Sequence, residues 1–195
     1  KWIHQQGAAN KTGRTLKKES VRRIPITNFK RGPFIAMKLT EAPIQGLYII
    51  EPKVFEDSRG YFMETFNQKA FAEVGINVSF VQDNESCSSK GVIRGLHYQL
   101  APFAQSKLVR VIAGEILDVA LDLRLNSPTY GKHFSILLNS QSKKQLFIPH
   151  GFAHGFSVLS ETAVVQYKCD SLYNPSAERG IQFNDPALSI DWMVK

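Results

Sequence analysis

Short segments of strand-like composition, separated by turn residues, recur along most of this chain. From residue 39 onward, runs of Val, Ile, Leu, Phe and Tyr alternate with Gly, Pro, Asn and Ser at about the spacing of a β-sandwich or barrel. The predicted strands are 46–50, 61–66, 78–82, 92–98, 108–112, 115–124, 133–138, 145–148, 155–159 and 163–168. The pattern predicts an all-β jelly-roll barrel whose interior can hold a small ligand.

One segment departs from the strand pattern. Asn67 can cap a helix, apolar residues follow at helical spacing, and Gly75 can end it. We therefore expect a single short helix over 67–74 beside the strands.

The net charge of +7 is concentrated at the N-terminus. Residues 1–36 hold nine of the 24 basic residues and one of the 17 acidic residues, so the remainder is nearly neutral. This segment is consistent with an added or upstream stretch, a basic arm for an acidic partner, or a targeting peptide. We expect 1–36 to be a tail, disordered or foreign to the domain, and 37–195 to be one folded domain.

Composition excludes several classes of protein. No apolar run reaches the length of a membrane-spanning helix. Two cysteines, Cys87 and Cys169, are too few for a disulfide framework or a four-cysteine zinc site, and indicate reduced thiols of a cytoplasmic protein.

Strand parity separates the candidate catalytic residues. Alternation places Arg94 with Leu96 and Tyr98 on one face of a strand, and His97 with Gln99 on the other. A lone histidine on a strand is often structural, yet it is also the side chain best suited to act as a base near neutral pH.

Further polar residues lie on other predicted strands. Lys107 and Arg110 have opposite parity, so one of them can point inward. Tyr167 is equally consistent with a buried aromatic residue whose hydroxyl is hydrogen-bonded. Asp118 and Asp122 share the polar face of a strand whose other face is apolar.

A Pro-x-Gly-x-x-His spacing at 149–154 resembles the second motif of the cupin superfamily. In metal-binding cupins the first motif contains a His-x-His pair, but here Gln99 stands at the second histidine position. His150 and His154 alone form an incomplete ligand set, so we expect no metal.

A longer series of motifs resembles the dTDP-4-dehydrorhamnose 3,5-epimerase family in order and spacing over 41–192. The matching segments are 51–55, 57–60, 80–84, 94–99, 107–110, 114–120, 127–131, 148–156, 167–168, 173–175 and 183–186.

The resemblance implies a metal-independent, cofactor-free cupin homodimer that acts on dTDP-4-dehydro-6-deoxy-D-glucose. The ketone at carbon 4 acidifies the protons on carbons 3 and 5. A base removes each proton, and an acid returns it to the opposite face of the enolate.

By the same resemblance, His97 corresponds to the general base, Tyr167 to the proton donor and Lys107 to the lysine that contacts the sugar. Tyr173 corresponds to the aromatic residue that stacks on thymine, and Asp83 is expected to contribute through its backbone. The other expected substrate-binding residues are Arg59, Glu64, Gln82, Asn84, Arg94, His154 and Glu178.

The C-terminus departs from the family pattern. The family continues beyond Trp192 with a Leu-Ser-x-Lys-Asp segment whose Asp partners the catalytic histidine, and this sequence stops at Lys195. We therefore expect a chain truncated at its C-terminus or impaired in catalysis. Asp118 and Asp122 are candidates to replace the missing partner of His97.

Other functions remain open at this point. A 3-epimerase, or another dTDP-keto-sugar isomerase, would use the same scaffold, and a nucleotide-sugar-binding protein would need no turnover. Nucleic-acid binding rests on the basic tail alone, so we expect neither a nucleic-acid nor a membrane partner.

Overall fold

The strands pair into two large antiparallel sheets. The computed structural model describes residues 37–194. Its elements are β1 (Lys38–Glu41), β2 (Tyr48–Glu51), β3 (Val54–Asp57), β4 (Gly60–Met63), α1 (Gln68–Glu73), β5 (Gln82–Ser89), β6 (Ile93–Gln99), β7 (Lys107–Ala113), β8 (Glu115–Asp122), β9 (His133–Asn139), β10 (Gln145–Ile148), β11 (Phe152–Val158), β12 (Thr162–Cys169) and β13 (Glu178–Gly180).

The first sheet has the strand order β1-β2-β10-β7-β12-β5, and the second has the order β13-β6-β11-β8-β9. Strands β3 and β4 form a separate hairpin around the predicted turn at 57–60. The two facing sheets confirm the predicted all-β jelly-roll architecture.

Alternating apolar residues fill the space between the two sheets. Val109, Leu146 and Val165 of the first sheet are fully or almost fully buried in one cluster with Ile116 and Phe156 of the second. Period-2 alternation directs these side chains to one face of each strand, so burying that face joins the sheets.

The outer face of the first sheet is covered by the predicted helix. Phe71 of α1 packs in a cluster with Leu108 and Phe147. The Asn67 side chain accepts a hydrogen bond from the backbone N–H of Ala70 at 3.1 Å. This cap confirms the helix start read from the sequence.

The outer face of the second sheet is covered by residues 181–194. Trp192 packs on Leu117 and Leu121, and its indole N–H donates to the Phe183 carbonyl at 2.8 Å. Strand β8 is therefore buried on both faces, and its polar face, which includes Asp118, points into the barrel.

The strand predicted at 78–82 is wrong. Strand β5 begins at Gln82, where the predicted strand ends. Val78 and Phe80 instead pack against the cluster around α1, so their alternation reflects packing of an irregular segment and not strand pairing. The true strand was missed because its sequence is almost entirely polar.

The expected tail at 1–36 lies outside the described residues. Within 37–194, no helix is long and apolar enough to cross a membrane.

Candidate active site

A cavity of about 220 Å³ opens between the two sheets, and strands of both contribute to its wall. The wall is formed by Gln82, Asn84, His97, Tyr98, Gln99, Gln105, Lys107, Tyr167, Tyr173 and Glu178. The structure thus brings together the three expected catalytic residues and four of the expected substrate-binding residues.

The expected base and acid reach this cavity from different sheets. His97 lies on β6 of the second sheet and is exposed to the opening, whereas Tyr167 lies on β12 of the first sheet. Burial raises the pKa of Tyr167, the neighbouring Cys169 raises it further, and the charge of Arg94 partly offsets both. The phenol therefore stays protonated at neutral pH, as a proton donor must.

Lys107 brings a cation into the enclosed part of the cavity. Burial lowers the pKa of its ammonium group, whereas the nearby Cys169 and Asp118 act in the opposite direction. The Nζ atom lies 5.8 Å from the centroid of the Tyr167 ring. Arg110 lies on the other face of β7. One residue of this pair was expected to point inward, and in the structure that residue is Lys107.

His154 is buried beside this cavity with a carboxylate partner. Its Nε2 lies 2.8 Å from Oδ1 of Asp118, and both side chains are almost completely buried. With Asp118 ionised, Nε2 of His154 is the donor in this contact, because a carboxylate oxygen only accepts. Among residues 37–194, Oδ2 of Asp118 has no hydrogen-bond partner.

Asp118 and Asp122 both form hydrogen bonds with residues other than His97. Asp122 binds Arg124 through two side-chain hydrogen bonds of 2.8 and 2.7 Å. Burial opposes ionisation of Asp122, but the bonds from Arg124 and adjacent hydroxyl groups hold its pKa well below the ordinary value. Within residues 37–194, neither aspartate hydrogen-bonds His97, so the structure gives no support to the expectation that one of them replaces its partner.

A β-bulge in β6 corrects the predicted position of Arg94. His97 pairs with His154 and Arg94 with Phe156, so three steps along β6 face two steps along β11. The extra residue reverses the alternation and moves Arg94 to the face of His97, away from Leu96 and Tyr98. Its Nε donates to Ser88 Oγ at 2.8 Å.

Gly95 is the residue that makes this bulge possible. Its φ is +108°, and a Cβ atom there would lie 2.5 Å from the backbone of both His154 and Gly155. Only glycine accommodates this conformation and this close approach of two strands.

Tyr173 and three of the substrate-binding residues expected from the resemblance form a connected group. The Tyr173 hydroxyl donates to Glu178 Oε2 at 2.6 Å, and this bond raises the pKa of Tyr173. The Tyr173 backbone N–H donates to Gln82 Oε1 at 2.9 Å, and Gln82 Nε2 donates to Asn84 Oδ1 at 3.0 Å.

Five expected substrate-binding residues are not part of this cavity wall: Arg94 and His154, described above, and Arg59, Glu64 and Asp83. Arg59 lies on the β3–β4 hairpin, where it pairs with Asp57 at 2.6 Å and lines a separate surface cavity. Glu64 follows β4 and is not part of the main cavity wall. The Asp83 carboxylate binds Lys168 at 2.9 Å, on the face of β5 opposite Gln82 and Asn84.

Sequence reasoning did not assign Tyr98, Gln99 and Gln105 to the site, although all three line the cavity. Gln99 shared the strand face of His97, and this was the only signal that could have indicated it. The pairing of Asp118 with His154 was also missed, because residues 36 positions apart meet only through the β8–β11 register.

No group of three or more His, Cys, Asp or Glu residues in the described part of the chain is placed to hold a metal ion. Within the 149–154 motif, His150 Nε2 lies 2.9 Å from Asp170, and His154 binds Asp118.

The comparison with known protein families decides the classification. The model of a family described as dTDP-4-dehydrorhamnose 3,5-epimerase matches residues 41–195. The chain belongs to this family. The epimerase of that name from Shigella flexneri is 54% identical over 160 residues, which cover 82% of this chain and 88% of the relative.

Solved structures of 3,5-epimerases agree with this result. The crystal structure from Elizabethkingia anophelis NUHP1 matches with a TM-score of 0.78 and 55% identity, covering 82% of this chain and 87% of that one. The epimerase from Legionella pneumophila Philadelphia 1, solved with dTDP-4-keto-L-rhamnose, matches with a TM-score of 0.79 and 50% identity over 82% and 85% of the two chains. The cupin-type barrel is thereby confirmed.

Proposed function

We propose that this chain epimerises dTDP-4-dehydro-6-deoxy-D-glucose at carbons 3 and 5 to give dTDP-4-dehydro-L-rhamnose. The observation that carries the proposal is the meeting of His97, Tyr167 and Lys107 in one cavity between the sheets. The Legionella pneumophila relative contains dTDP-4-keto-L-rhamnose, which is the product expected here.

The chemistry follows from the acidity of protons next to a ketone. His97 removes the proton on carbon 3 or carbon 5, and the electron pair moves into an enolate. Tyr167 then returns a proton to the opposite face of the carbon, because it approaches from the other sheet. Reversing the face of protonation inverts the centre.

Lys107 stabilises the enolate oxygen. Lys107 is only partly exposed, and a charge in a site shielded from water acts more strongly on a developing anion than it would in water. The enolate in turn restores the preference of Lys107 for its charged form.

The remaining residues bind the substrate in two groups. Tyr173 stacks on thymine, with Gln82, Asn84 and Glu178 around it, because an aromatic face suits a flat base. Arg94 suits the diphosphate, since a guanidinium group forms paired hydrogen bonds with phosphate oxygens. By the family resemblance, His154 corresponds to a substrate-binding position, and Asp83 to one that contributes through its backbone.

A homodimer accounts for the position of Arg59 and Glu64 outside the cavity of their own chain. The β3–β4 hairpin that carries Arg59 exposes Phe55, Tyr61 and Phe62. Three exposed aromatic residues on one hairpin are typical of a surface that a partner covers. The free thiols of Cys87 and Cys169 support a cytoplasmic location.

The activity is tested by incubating the protein with dTDP-4-dehydro-6-deoxy-D-glucose in deuterated water. We expect deuterium at carbons 3 and 5, detected by NMR. Exchange at carbon 3 alone would identify a 3-epimerase. Binding of dTDP without exchange would identify a nucleotide-sugar-binding protein and contradict the proposal.

Substitutions assign the catalytic roles. His97→Ala and Tyr167→Phe should each lower the exchange rate by about 10²- to 10⁴-fold, which is the usual contribution of a positioned acid or base. His150→Ala and Tyr130→Phe are matched controls outside the cavity and should retain the wild-type rate. Near-UV circular dichroism checks that all four variants keep the native fold.

A further inference from the structure

The loop at 171–174, which carries Tyr173, is held by glutamine side chains from three different parts of the chain. Gln105 Nε2 donates to the Ser171 carbonyl at 2.8 Å. Gln99 Nε2 donates to the Leu172 carbonyl at 3.3 Å. Gln82 accepts from the backbone N–H of Tyr173.

Gln99 makes the largest number of these contacts. Its Oε1 accepts from the Asn174 backbone N–H at 2.7 Å, and its Nε2 also donates to the Phe103 carbonyl at 2.6 Å. A backbone N–H only donates, so the atom facing Asn174 is the oxygen, and the orientation of the amide is fixed. Both N–H groups of Gln99 are then used within the protein.

This hydrogen bonding distinguishes Gln99 from the residues expected to bind substrate. Gln99 lines the cavity but is 7% exposed and has no free N–H to offer a ligand. Its polar atoms join the loop at 171–174 to the carbonyl of Phe103. Its effect on a ligand must therefore pass through the loop.

The position of Gln99 in the sheet links the strand of His97 to the residues around Tyr173. It is the last residue of β6 and lies on the face of His97. Its partner across the sheet is Glu178, which accepts the hydroxyl hydrogen bond of Tyr173. The strand that carries His97 therefore restrains Tyr173 in two ways. Gln99 binds the backbone of the loop at 171–174, and Glu178 of the adjacent β13 binds the Tyr173 hydroxyl.

We propose that Gln99 is a positioning residue that fixes Tyr173 for the nucleotide base of the substrate; this rests on the proposed function. A loop held in place before binding does not have to be ordered during binding, and this lowers the entropic cost of capturing the nucleotide. Gln99 acts on the nucleotide, not on proton transfer.

The first test is the Gln99→Met variant, which keeps the side-chain length and removes the amide. We expect its Kd for dTDP, measured by calorimetry, to rise about tenfold, because buried loop groups lose their partners. KM for the keto-sugar should rise by a similar factor and kcat should change little. Ser157→Ala, which loses a buried bond to the Trp192 carbonyl away from the cavity, should leave both constants unchanged.

A double-mutant cycle shows whether the effect passes through the ring. In a Tyr173→Ala background, Gln99→Met should weaken dTDP binding by much less than tenfold, since no ring remains to be positioned. The same loss in both backgrounds would overturn the proposal, as would an unchanged Kd in Gln99→Met.

Hydrogen–deuterium exchange tests the loop without any ligand. Exchange in the peptide containing 171–176 should become faster in Gln99→Met, whereas exchange in β8 should not change. If the wild-type protein does not bind dTDP, the proposed function fails, and this measurement still decides whether Gln99 restrains the loop. Unchanged exchange there would overturn the positioning role.

Discussion

At the scale of single residues, the site contains a lysine whose charged form is disfavoured by burial. Lys107 lies in the enclosed part of the cavity, and burial lowers its pKa below the ordinary value of 10.5. The chain thus retains a destabilising cation in its interior, as is common where a group is kept for activity rather than stability.

Removing this charge should stabilise the protein. Lys107→Met is expected to raise the free energy of unfolding at pH 7 by about 1–2 kcal/mol, or Tm by roughly 2–8 °C, while abolishing turnover. Since the folded-state pKa is lowered, the unfolded state binds more protons between the two pKa values, and wild-type stability rises with pH there.

The gain in the free energy of unfolding from Lys107→Met should therefore be largest below the folded-state pKa of Lys107 and should vanish above about pH 10.5. Calorimetry of both proteins across this range checks the sign. A variant that is less stable at pH 7, or a gain independent of pH, would contradict this account.

At the residue level, the family resemblance brought three residues of one site to attention. The motifs indicated His97, Lys107 and Tyr167, and the structure brings all three to one cavity, while their catalytic roles stay predictions. The contribution of Gln99 could not be read from the sequence, because its partners at 103 and 172–174 are backbone atoms of distant loops.

At the scale of elements, the bulge in β6 determines which side chains reach the cavity. Gly95 allows the backbones of β6 and β11 to come close together. The extra residue in β6 reverses the alternation of its side chains on one side of the bulge. Alternation predicted most strands and the separation of His97 from Leu96 and Tyr98, but it misplaced Arg94 because a single sequence does not reveal an inserted residue.

Gly95→Ala should disrupt this arrangement. We expect a loss of about 3–5 kcal/mol in the free energy of unfolding, because the new methyl group would collide with the backbone of β11 and the positive φ would be strained. Gly131→Ala is the matched control: its φ is +74° but its surroundings are open, so we expect a loss of about 1–2 kcal/mol. Urea denaturation measures both, and equal losses would exclude the collision as the cause.

At the scale of the whole molecule, exposed aromatic residues on one hairpin support the proposed dimer. The β3–β4 hairpin exposes Phe55, Tyr61 and Phe62, and the Arg59 guanidinium beside them lies outside the cavity of its own chain. Sequence alone predicted this state only by resemblance, because exposure of an aromatic residue depends on how the hairpin leaves the sheets.

Phe62→Glu should weaken the dimer. A carboxylate buried in an apolar interface without a partner is costly, so the variant is expected to shift towards the mass of one 21.9 kDa chain. Leu125→Glu, at a position that is 81% exposed and away from the hairpin, should leave the mass unchanged. Sedimentation velocity checks both variants, and a monomeric wild-type protein would refute the dimer.

The same space between the sheets holds both the apolar core and the cavity. Val109 and Val165 belong to the strands that carry Lys107 and Tyr167, and they pack against residues of the sheet that carries His97. The core therefore sets the distance between the sheet that carries His97 and the sheet that carries Lys107 and Tyr167. Changing the volume of these valines should therefore alter the rate of deuterium exchange before it unfolds the barrel.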